Sequence, residues 1–368
     1  MGTRIKISDK FISDGCRSFI IAEIGVNHNG SVEIAKQLID AAKEAGADVV
    51  KFQIFKAEKL VSPSAELVGY QRKNIGKKVS QYEMLKRLEL DYSDFERLKE
   101  YCDDREIIFM ATPHSCKEDI NIVSDLCPAI KIGSGDLTNL PMLEYAAKKK
   151  LPIILSTGMS TLDEIREAVN VILPINKDVV LLHCVTNYPL SVSDVNLRAM
   201  NTMREEFRLP VGFSDHTRGI EVSVAAVALG ACVIEKHFTL DRSMEGPDHR
   251  ASLEPHEFRK MVKEIRNTEE RIRQGEDFIS IINNLGMREA LGDGIKRPNP
   301  QELEIARIVR KGIKAMVDIP KGSIVSEEKV IIKRPATGTE PKYLNEVIGK
   351  TAKRDIKKDE AIFLKDSI

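Results

Sequence analysis

The chain has no surplus of either charge: among its 368 residues, 56 Lys and Arg balance 56 Asp and Glu. Without a basic or acidic bias it lacks the electrostatic footprint of a nucleic-acid binder, and any cation cluster must be a local pocket. It also lacks an apolar run long enough to span a bilayer. The N-terminus does not show the basic, apolar and small-residue succession of a signal peptide, so no membrane association is expected. The six cysteines (Cys16, Cys102, Cys116, Cys127, Cys184 and Cys232) include no CxxC pair. Cys184 and Cys232 fall inside strand-like runs and read as small buried side chains of a reduced, cytoplasmic protein. Neither a repeat of solenoid period nor a low-complexity tract is present. What remains is ordinary for a globule, 42% hydrophobic and 30% charged, with enough chain for about two domains.

Residues 4–12 read as a small hairpin. From Ser18 onward, short apolar runs alternate with amphipathic stretches. The runs fall at 19–24, 48–53, 107–111, 129–132, 152–156, 179–184, 210–214 and 232–236. Helical period and end signals fill the gaps: Val32 to Ala45 stops at Gly46, and Thr161 to Leu173 opens with the capping box Thr161-x-x-Glu164. Strand–helix repetition of this kind, eight times over, predicts a (β/α)₈ TIM barrel rather than a doubly wound open sheet. The barrel is expected over residues 1–280, closed by a helix at 255–274. A linker is expected over 281–308, where Pro298-Asn299-Pro300 signals a turn. A small β-rich domain is expected over 309–368. The excursion at 60–85 carries a segment, KKVSQYEML, positioned to fold over the barrel mouth.

In a barrel the active site forms at the C-terminal ends of the strands. Unusual polar residues gather there: Glu23, Lys51 and Gln53, Thr112, Lys131, Ser134 and Asp136, Ser156, His183, Ser214 through His216, and Lys236 with His237. The segment 211–237 reads as a βαβ unit whose two parallel strands each end in histidine, so His216 and His237 are placed to share one divalent metal. Lys51 and Lys131 point into the same mouth; buried ammonium groups need partners, and two together predict an anionic ligand, with Ser134, Ser156 and Ser214 as added donors. A Schiff-base lysine is the competing use. Glu23, Asp136, Asp215 and Asp248 are available to bind metal, orient hydroxyls or move protons, although Asp215 also suits a purely bracing role. The residues alone thus imply a metal-assisted lyase or transferase acting on a phosphorylated or carboxylated small molecule.

These motifs, taken in order, resemble the N-acetylneuraminate (sialic acid) synthases and relatives that make other nine-carbon keto-sugar acids. The likeness runs through AEIGVNHNG (22–30), ADVVKFQ (47–53), IKIGSGDLTNLP (130–141), NYP (187–189), GFSDHTRG (212–219), LGACVIEKHFTLD (229–241) and GPDH (246–249). DIPKG (318–322) and KRPATG (333–338) resemble the antifreeze-like (SAF) domain fused to those enzymes. The resemblance implies condensation of phosphoenolpyruvate (PEP) with an N-acylated mannosamine-type sugar and loss of phosphate by C–O cleavage. It implies a Mn²⁺-like ion (Mg²⁺ or Co²⁺ as alternatives) held by His216 and His237. PEP would be held by Lys51, Thr112, Lys131, Ser134, Ser156 and Ser214, with Glu23 handling protons. Gln53, Asp136, Tyr188 and Asp248 would contact the acceptor sugar. Arg334 would reach the N-acyl group from the antifreeze-like domain of a partner subunit, in a homodimer with exchanged caps. Two positions depart from the commoner pattern: Asp136 stands where SGE is usual, and His114 where phenylalanine follows ATP. The stretch 212–255 looks closer to the legionaminic acid branch. The alternatives are a 3-deoxy sugar acid synthase acting on a phosphorylated aldose, a Schiff-base aldolase, and a carbohydrate-binding protein with an inert barrel.

Overall fold

The structure is a computed structural model that describes residues 4–75, 79–187 and 190–365. Eight parallel strands occupy the eight expected runs: β1 (Phe19–Glu23), β2 (Val49–Ile54), β3 (Ile108–Pro113), β4 (Ile130–Ile132), β5 (Ile153–Ser156), β6 (Val179–Cys184), β7 (Val211–Asp215) and β8 (Val233–His237). The hydrogen-bonded order runs β3-β2-β1-β8-β7-β6-β5-β4, so the sheet curls round until β3 and β4 lie side by side without a ladder. The barrel is closed in shape and open at one seam. Because both faces are covered, β1 and β6 are buried at every position, and apolar residues run continuously instead of alternating.

Helices alternate with the strands as their end signals require. In α1 (Val32–Glu44), Ser31 caps the Ile34 amide at 3.3 Å, and the buried stripe Ala35, Leu38, Ile39 and Ala42 keeps helical spacing against the sheet. The helix after β5, Leu162–Ile172, opens on the expected Thr161–Glu164 capping box. Pro255–Arg273 closes the barrel. Beneath the strands, the hairpin Ile5–Ile7 with Lys10–Ile12 plugs the floor, its Ile5, Ile7 and Ile12 packed on Phe19, Ile21, Val49 and Val180. The excursion after β2 forms short helices at Ala57–Leu60, Gly69–Ile75 and Gln81–Leu88. Met84 and Leu85 line the mouth, as expected of the KKVSQYEML segment; residues 76–78 lie outside the described ones.

The segment expected as a linker holds helices, Phe278–Asn284 and Pro300–Val309. What read as a turn at Pro298-Asn299-Pro300 is a helix start: Asn299 and Glu302 form a capping box, with proline at the first position, where its missing N–H costs nothing. Glu302 also accepts from the Met159 amide at 2.7 Å and the Thr186 amide at 2.8 Å, pinning this helix to the barrel rim. The chain then enters the β-rich domain, in which β9 (Gly312–Ala315) pairs antiparallel with β10 (Val330–Lys333) over a core of Ile313, Ile319, Val325, Val347, Ile356 and Ile362. This domain sits on the mouth of its own barrel. Arg334 exchanges backbone bonds with the excursion, accepting from Ser62 and donating to Leu60, both at 2.9 Å.

Gly212 in β7 shows how tightly the staves meet. A Cβ there would stand 2.5 Å from the Val233 carbonyl oxygen and 2.8 Å from Leu182 Cδ2. Gly212→Ala should therefore destabilise the protein by ~1–3 kcal/mol through overpacking, read as a lower Tm in a thermal melt; an unchanged Tm would mean that the neighbouring strand yields without cost.

Candidate active site

Alternation along each strand sorts the polar residues into two sets. At the ends of β7 and β8, Ser214, His216, Glu235 and His237 line the mouth. Asp215 and Lys236 turn the other way and pair at 2.8 Å. Asp215 also accepts from the Thr217 amide at 2.8 Å and from the Ser223 hydroxyl of the following helix, so it braces the fold. His183 likewise faces outward, its Nε2 2.8 Å from the Val195 carbonyl. Asn27 donates to the Phe238 carbonyl and Ser252, each at 2.9 Å. Asp215, Lys236 and His183, grouped with the site by position alone, are structural, and so is Asn27.

The inward set encloses a cavity of about 170 Å³. At its base Glu235 lies between two lysines, 3.8 Å from Lys51 and 3.6 Å from Lys131, with all three side chains at least 91% buried. Ser214 donates to Glu235 at 2.9 Å. Lys51 also pairs with Glu23 and donates to Thr112 at 3.1 Å, while Lys131 donates to Ser156 at 2.7 Å. Gln53 holds Glu23 from the side at 2.9 Å. Ser134 accepts from the Gly158 amide at 2.9 Å and lies 3.1 Å from Cys184 Sγ. Every residue expected to bind an anion is thus within one cluster. Glu235 was not expected there. It stands two residues before His237, so the period of two that placed the histidine inward should have placed Glu235 with it.

Burial disfavours every charge here, and its outcome differs from group to group. For Lys131 burial prevails and lowers the ammonium pKa. For Lys51 the carboxylates of Glu23 and Glu235 outweigh burial and raise it. Glu235 is held down to about 2, because Lys131 and Lys51 outweigh its burial. Burial pushes Glu23 up to about 7, with Lys51 opposing and Glu235 adding to the rise, so this carboxyl is set to exchange a proton near neutral pH. Of the two lysines, Lys131 is the less compensated by its surroundings, which suits it to an incoming anion.

His216 and His237 face one another across the mouth, ring centroids 5.7 Å apart and planes at 50°. Burial holds His216 down to about 4 and His237 well below its ordinary value, so both imidazoles are neutral, the form that ligates metal. The Val185 carbonyl, 2.8 Å from His216 Nδ1, sets the tautomer with its proton on Nδ1 and a lone pair on Nε2. Two neutral rings at this separation, one orientated by a carbonyl, fit a shared divalent ion. Among the described residues no third His, Cys, Asp or Glu joins them in a metal-ligating group.

Above this floor, Asp248 and Arg334 complete the lining, together with Tyr70, Gln71 and His114. Asp248 is pushed up to about 7 by burial, and its Oδ1 has no hydrogen-bond partner among the described residues. Arg334 enters the mouth of its own chain's barrel, whereas the resemblance had placed it in a partner's. Asp136 lies just beyond, paired with Lys311, a residue that sequence reasoning did not single out. Tyr188 lies outside the described residues.

An anion nest and an imidazole pair at the strand ends, under a small β-rich lid, define a capped barrel synthase. The chain belongs to the NeuB family: the family's model matches residues 38–277, and that of the SAF domain matches 310–366. It is 44% identical over 355 residues to the N,N'-diacetyllegionaminic acid synthase of Legionella pneumophila, spanning 95% of this chain and 94% of that one. Identity with the synthase of the same name from Campylobacter jejuni is 45%, over 94% and 99% of the two chains. Among solved structures, the spore coat polysaccharide biosynthesis protein SpsE of Bacillus subtilis superposes with a TM-score of 0.82 at 32% identity, covering 100% of this chain and 99% of that one.

Glu235→Gln keeps the Ser214 hydrogen bond but leaves two buried lysines without their shared counter-charge. The variant should melt earlier than the parent by ~3–5 kcal/mol of lost stability, and millimolar inorganic phosphate should raise its Tm more than the parent's. Equal melting of the two proteins without phosphate would show that the carboxylate is not what holds the lysines together.

Proposed function

We propose that this protein condenses PEP with the open-chain aldehyde of an N-acylated mannosamine-type sugar, releasing inorganic phosphate by C–O cleavage and yielding a nonulosonic acid. The observation that carries the proposal is the pair of buried lysines, Lys51 and Lys131, sharing Glu235 beside the two neutral imidazoles. Of the acceptors open to such an enzyme, the 2,4-diacetamido sugar leading to N,N'-diacetyllegionaminate is favoured by the two legionaminic acid synthases, which match nearly the whole chain. The phosphate and carboxylate of PEP lie against Lys51, Thr112, Lys131, Ser134, Ser156 and Ser214. Lys131 supplies the under-compensated charge, and the serines supply orientation. Glu23, poised near neutrality and steered by Gln53, moves the proton at the reacting carbons. Asp136, Asp248, Tyr188 and Arg334 position the acceptor, and the seated cap excludes bulk water.

His216 and His237 would hold a divalent metal, Mn²⁺ or else Mg²⁺ or Co²⁺, which when bound supplies Lewis-acid polarisation of the acceptor aldehyde. Two protein ligands leave the remaining positions to substrate oxygens and water. A cytoplasmic location suits the six cysteines, all free thiols. No described helix is long and apolar enough to cross a membrane.

Phosphate release should require PEP and acceptor together, with kcat/KM highest for the 2,4-diacetamido sugar among that compound, N-acetylmannosamine and its 6-phosphate. A chelator should abolish turnover and Mn²⁺ restore it; undiminished release from metal-free enzyme would remove the role assigned to the histidines.

The working form is proposed to be a homodimer that exchanges caps, each SAF domain making on the second copy the contacts it makes here on its own barrel. Lys131→Met and Arg334→Ala proteins, each impaired, separate this from closure within one chain. Unfolded and refolded together, an exchanging pair regains about one quarter of parental turnover, because one site in each mixed dimer receives both intact halves. No regain would assign each cap to its own barrel.

A further inference from the structure

The turn that leaves β5 makes two of the contacts that shape the anion nest. Ser156 accepts from the Lys131 ammonium at 2.7 Å, and two residues on the Gly158 amide donates to Ser134 Oγ at 2.9 Å. The next residue, Met159, has a φ of +60°, the left-handed conformation that residues other than glycine rarely adopt. Such a backbone persists only where its surroundings over-determine it. Here both polar ends of the residue are held from outside the barrel. The Met159 N–H donates to Glu302 Oε1 at 2.7 Å, and its carbonyl accepts from Arg310 at 2.7 Å. Both partners belong to the helix Pro300–Val309 and its exit. Arg310 is itself fixed to Glu164 of the helix after β5, at 2.6 and 2.9 Å, and the adjoining Lys311 pairs with Asp136 and donates to the His114 carbonyl.

The same Glu302 oxygen takes a second amide, that of Thr186 in the loop after β6, at 2.8 Å, while Oε2 accepts from the Asn299 amide at 3.1 Å. One carboxylate, 1% exposed, therefore ties the loops after β5 and β6 to each other and to the stem of the cap. Inside the pocket these loops converge on Gly158. A Cβ there would collide with Thr186 Oγ1 and stand 2.7 Å from Cys184 Sγ and 2.8 Å from Ser134 Oγ, so only glycine leaves room for the three side chains to meet. Because Ser134 Oγ accepts from Gly158, its own hydrogen is left to give. It lies 3.1 Å from Cys184 Sγ, a weak partner that an anion oxygen can replace. The Glu302 charge has a second use: Lys296 donates to the Cys184 carbonyl at 3.4 Å, and burial lowers its ammonium pKa against the opposing pull of Glu302.

We propose that Glu302 and Arg310 are positioning residues for PEP: by holding the N–H and the carbonyl of Met159 they keep the Gly158 amide on Ser134 and so aim the Ser134 hydroxyl at the bound anion. The stem of the cap is then part of the PEP site as well as of its roof, and a barrel whose stem has lifted binds PEP weakly. This rests on the PEP-condensing reading above and extends it to residues that touch no substrate.

The test is steady-state kinetics of the full-length, metal-replete protein, with PEP and whichever of the three acceptors named above the parent turns over fastest, alongside the Tm of each variant. Glu302→Ala should raise the KM for PEP about tenfold, the scale of one or two misplaced hydrogen bonds, and leave the KM for the sugar within about twofold. Glu302→Gln keeps an oxygen for the two amides but gives up the charge beside Lys296. It should recover most of the KM for PEP while its Tm stays below the parent's. On a Ser134→Ala background the effect of Glu302→Ala on the KM for PEP should shrink to about twofold or less, because the hydroxyl through which it acts is gone. Should Glu302→Ala fail to fold, Arg310→Gln loosens the other end of the same residue and is read by the same constants. KM values that rise together for PEP and sugar overturn the proposal, because general loosening of the rim would do that. So does an effect that is undiminished without the Ser134 hydroxyl. A parent protein that releases no phosphate from PEP with any of the acceptors removes the PEP-condensing reading itself, and this proposal with it.

Discussion

A single carboxylate shared by two buried lysines sets the terms for the rest of the site. Glu235 sits within 4 Å of both Lys51 and Lys131 in a pocket nearly closed to water, where Coulomb attraction is strong and desolvation equally so. Taking either ammonium out of water without that partner would cost several kcal/mol. The balance is incomplete by design of position: Lys51 has two carboxylates, Lys131 has a share of one, and the serine and threonine hydroxyls around them add direction without charge. An anion entering the pocket finds one cation already neutralised and one still short of a partner. The neutrality of His216 and His237 follows from the same burial, with Lys236 adding to the effect on both rings and Lys51 on His237.

The cap is fastened in the same idiom of buried charge meeting backbone. Glu302 satisfies two rim amides, Arg310 grips Glu164, and Lys311 meets Asp136. All three lie within ten residues of one another in sequence, on one short helix and its exit: Glu302 binds the loops after β5 and β6, Arg310 the loop after β5 and the helix that follows it, and Lys311 the loop after β4. That helix is therefore a strut. It carries the orientation of the small domain to the loops after β4, β5 and β6, and the backbone bonds of Arg334 to the excursion do the same on the opposite flank.

Much of this was legible in the sequence, for a specific reason. A parallel barrel buries both faces of every strand, so its staves appear as unbroken apolar runs, and the helices between them carry caps such as Ser31 and Thr161–Glu164 that mark their starts. The anion-binding residues were legible because a lysine inside an apolar run has no other easy explanation. Glu235 was within reach too, since strand alternation separates Glu235 and His237 from Lys236, and Ser214 and His216 from Asp215. The strut was harder to see. Pro298-Asn299-Pro300 carries the same local signals for a turn and for a capped helix, and its partners at Met159, Glu164 and Thr186 lie more than a hundred residues away. Lys311 was hidden for the same reason: nothing near it in sequence shows that it ends beside Asp136.

The seam between β3 and β4 has a mechanical meaning. Every other pair of neighbouring staves is joined by a backbone ladder, whereas these two only touch. His114 leaves from one side of that gap and Asp136 from the other, and Lys311 binds both. A side chain from outside the barrel thus acts as a stitch across its weakest join. Lifting the lid would do more than admit solvent: it would free the two lips of the seam to part, and the barrel would be expected to breathe there first. Enclosure of the site and rigidity of the scaffold are consequently one event, and a barrel trimmed of its last sixty residues would be a looser object than the capped one.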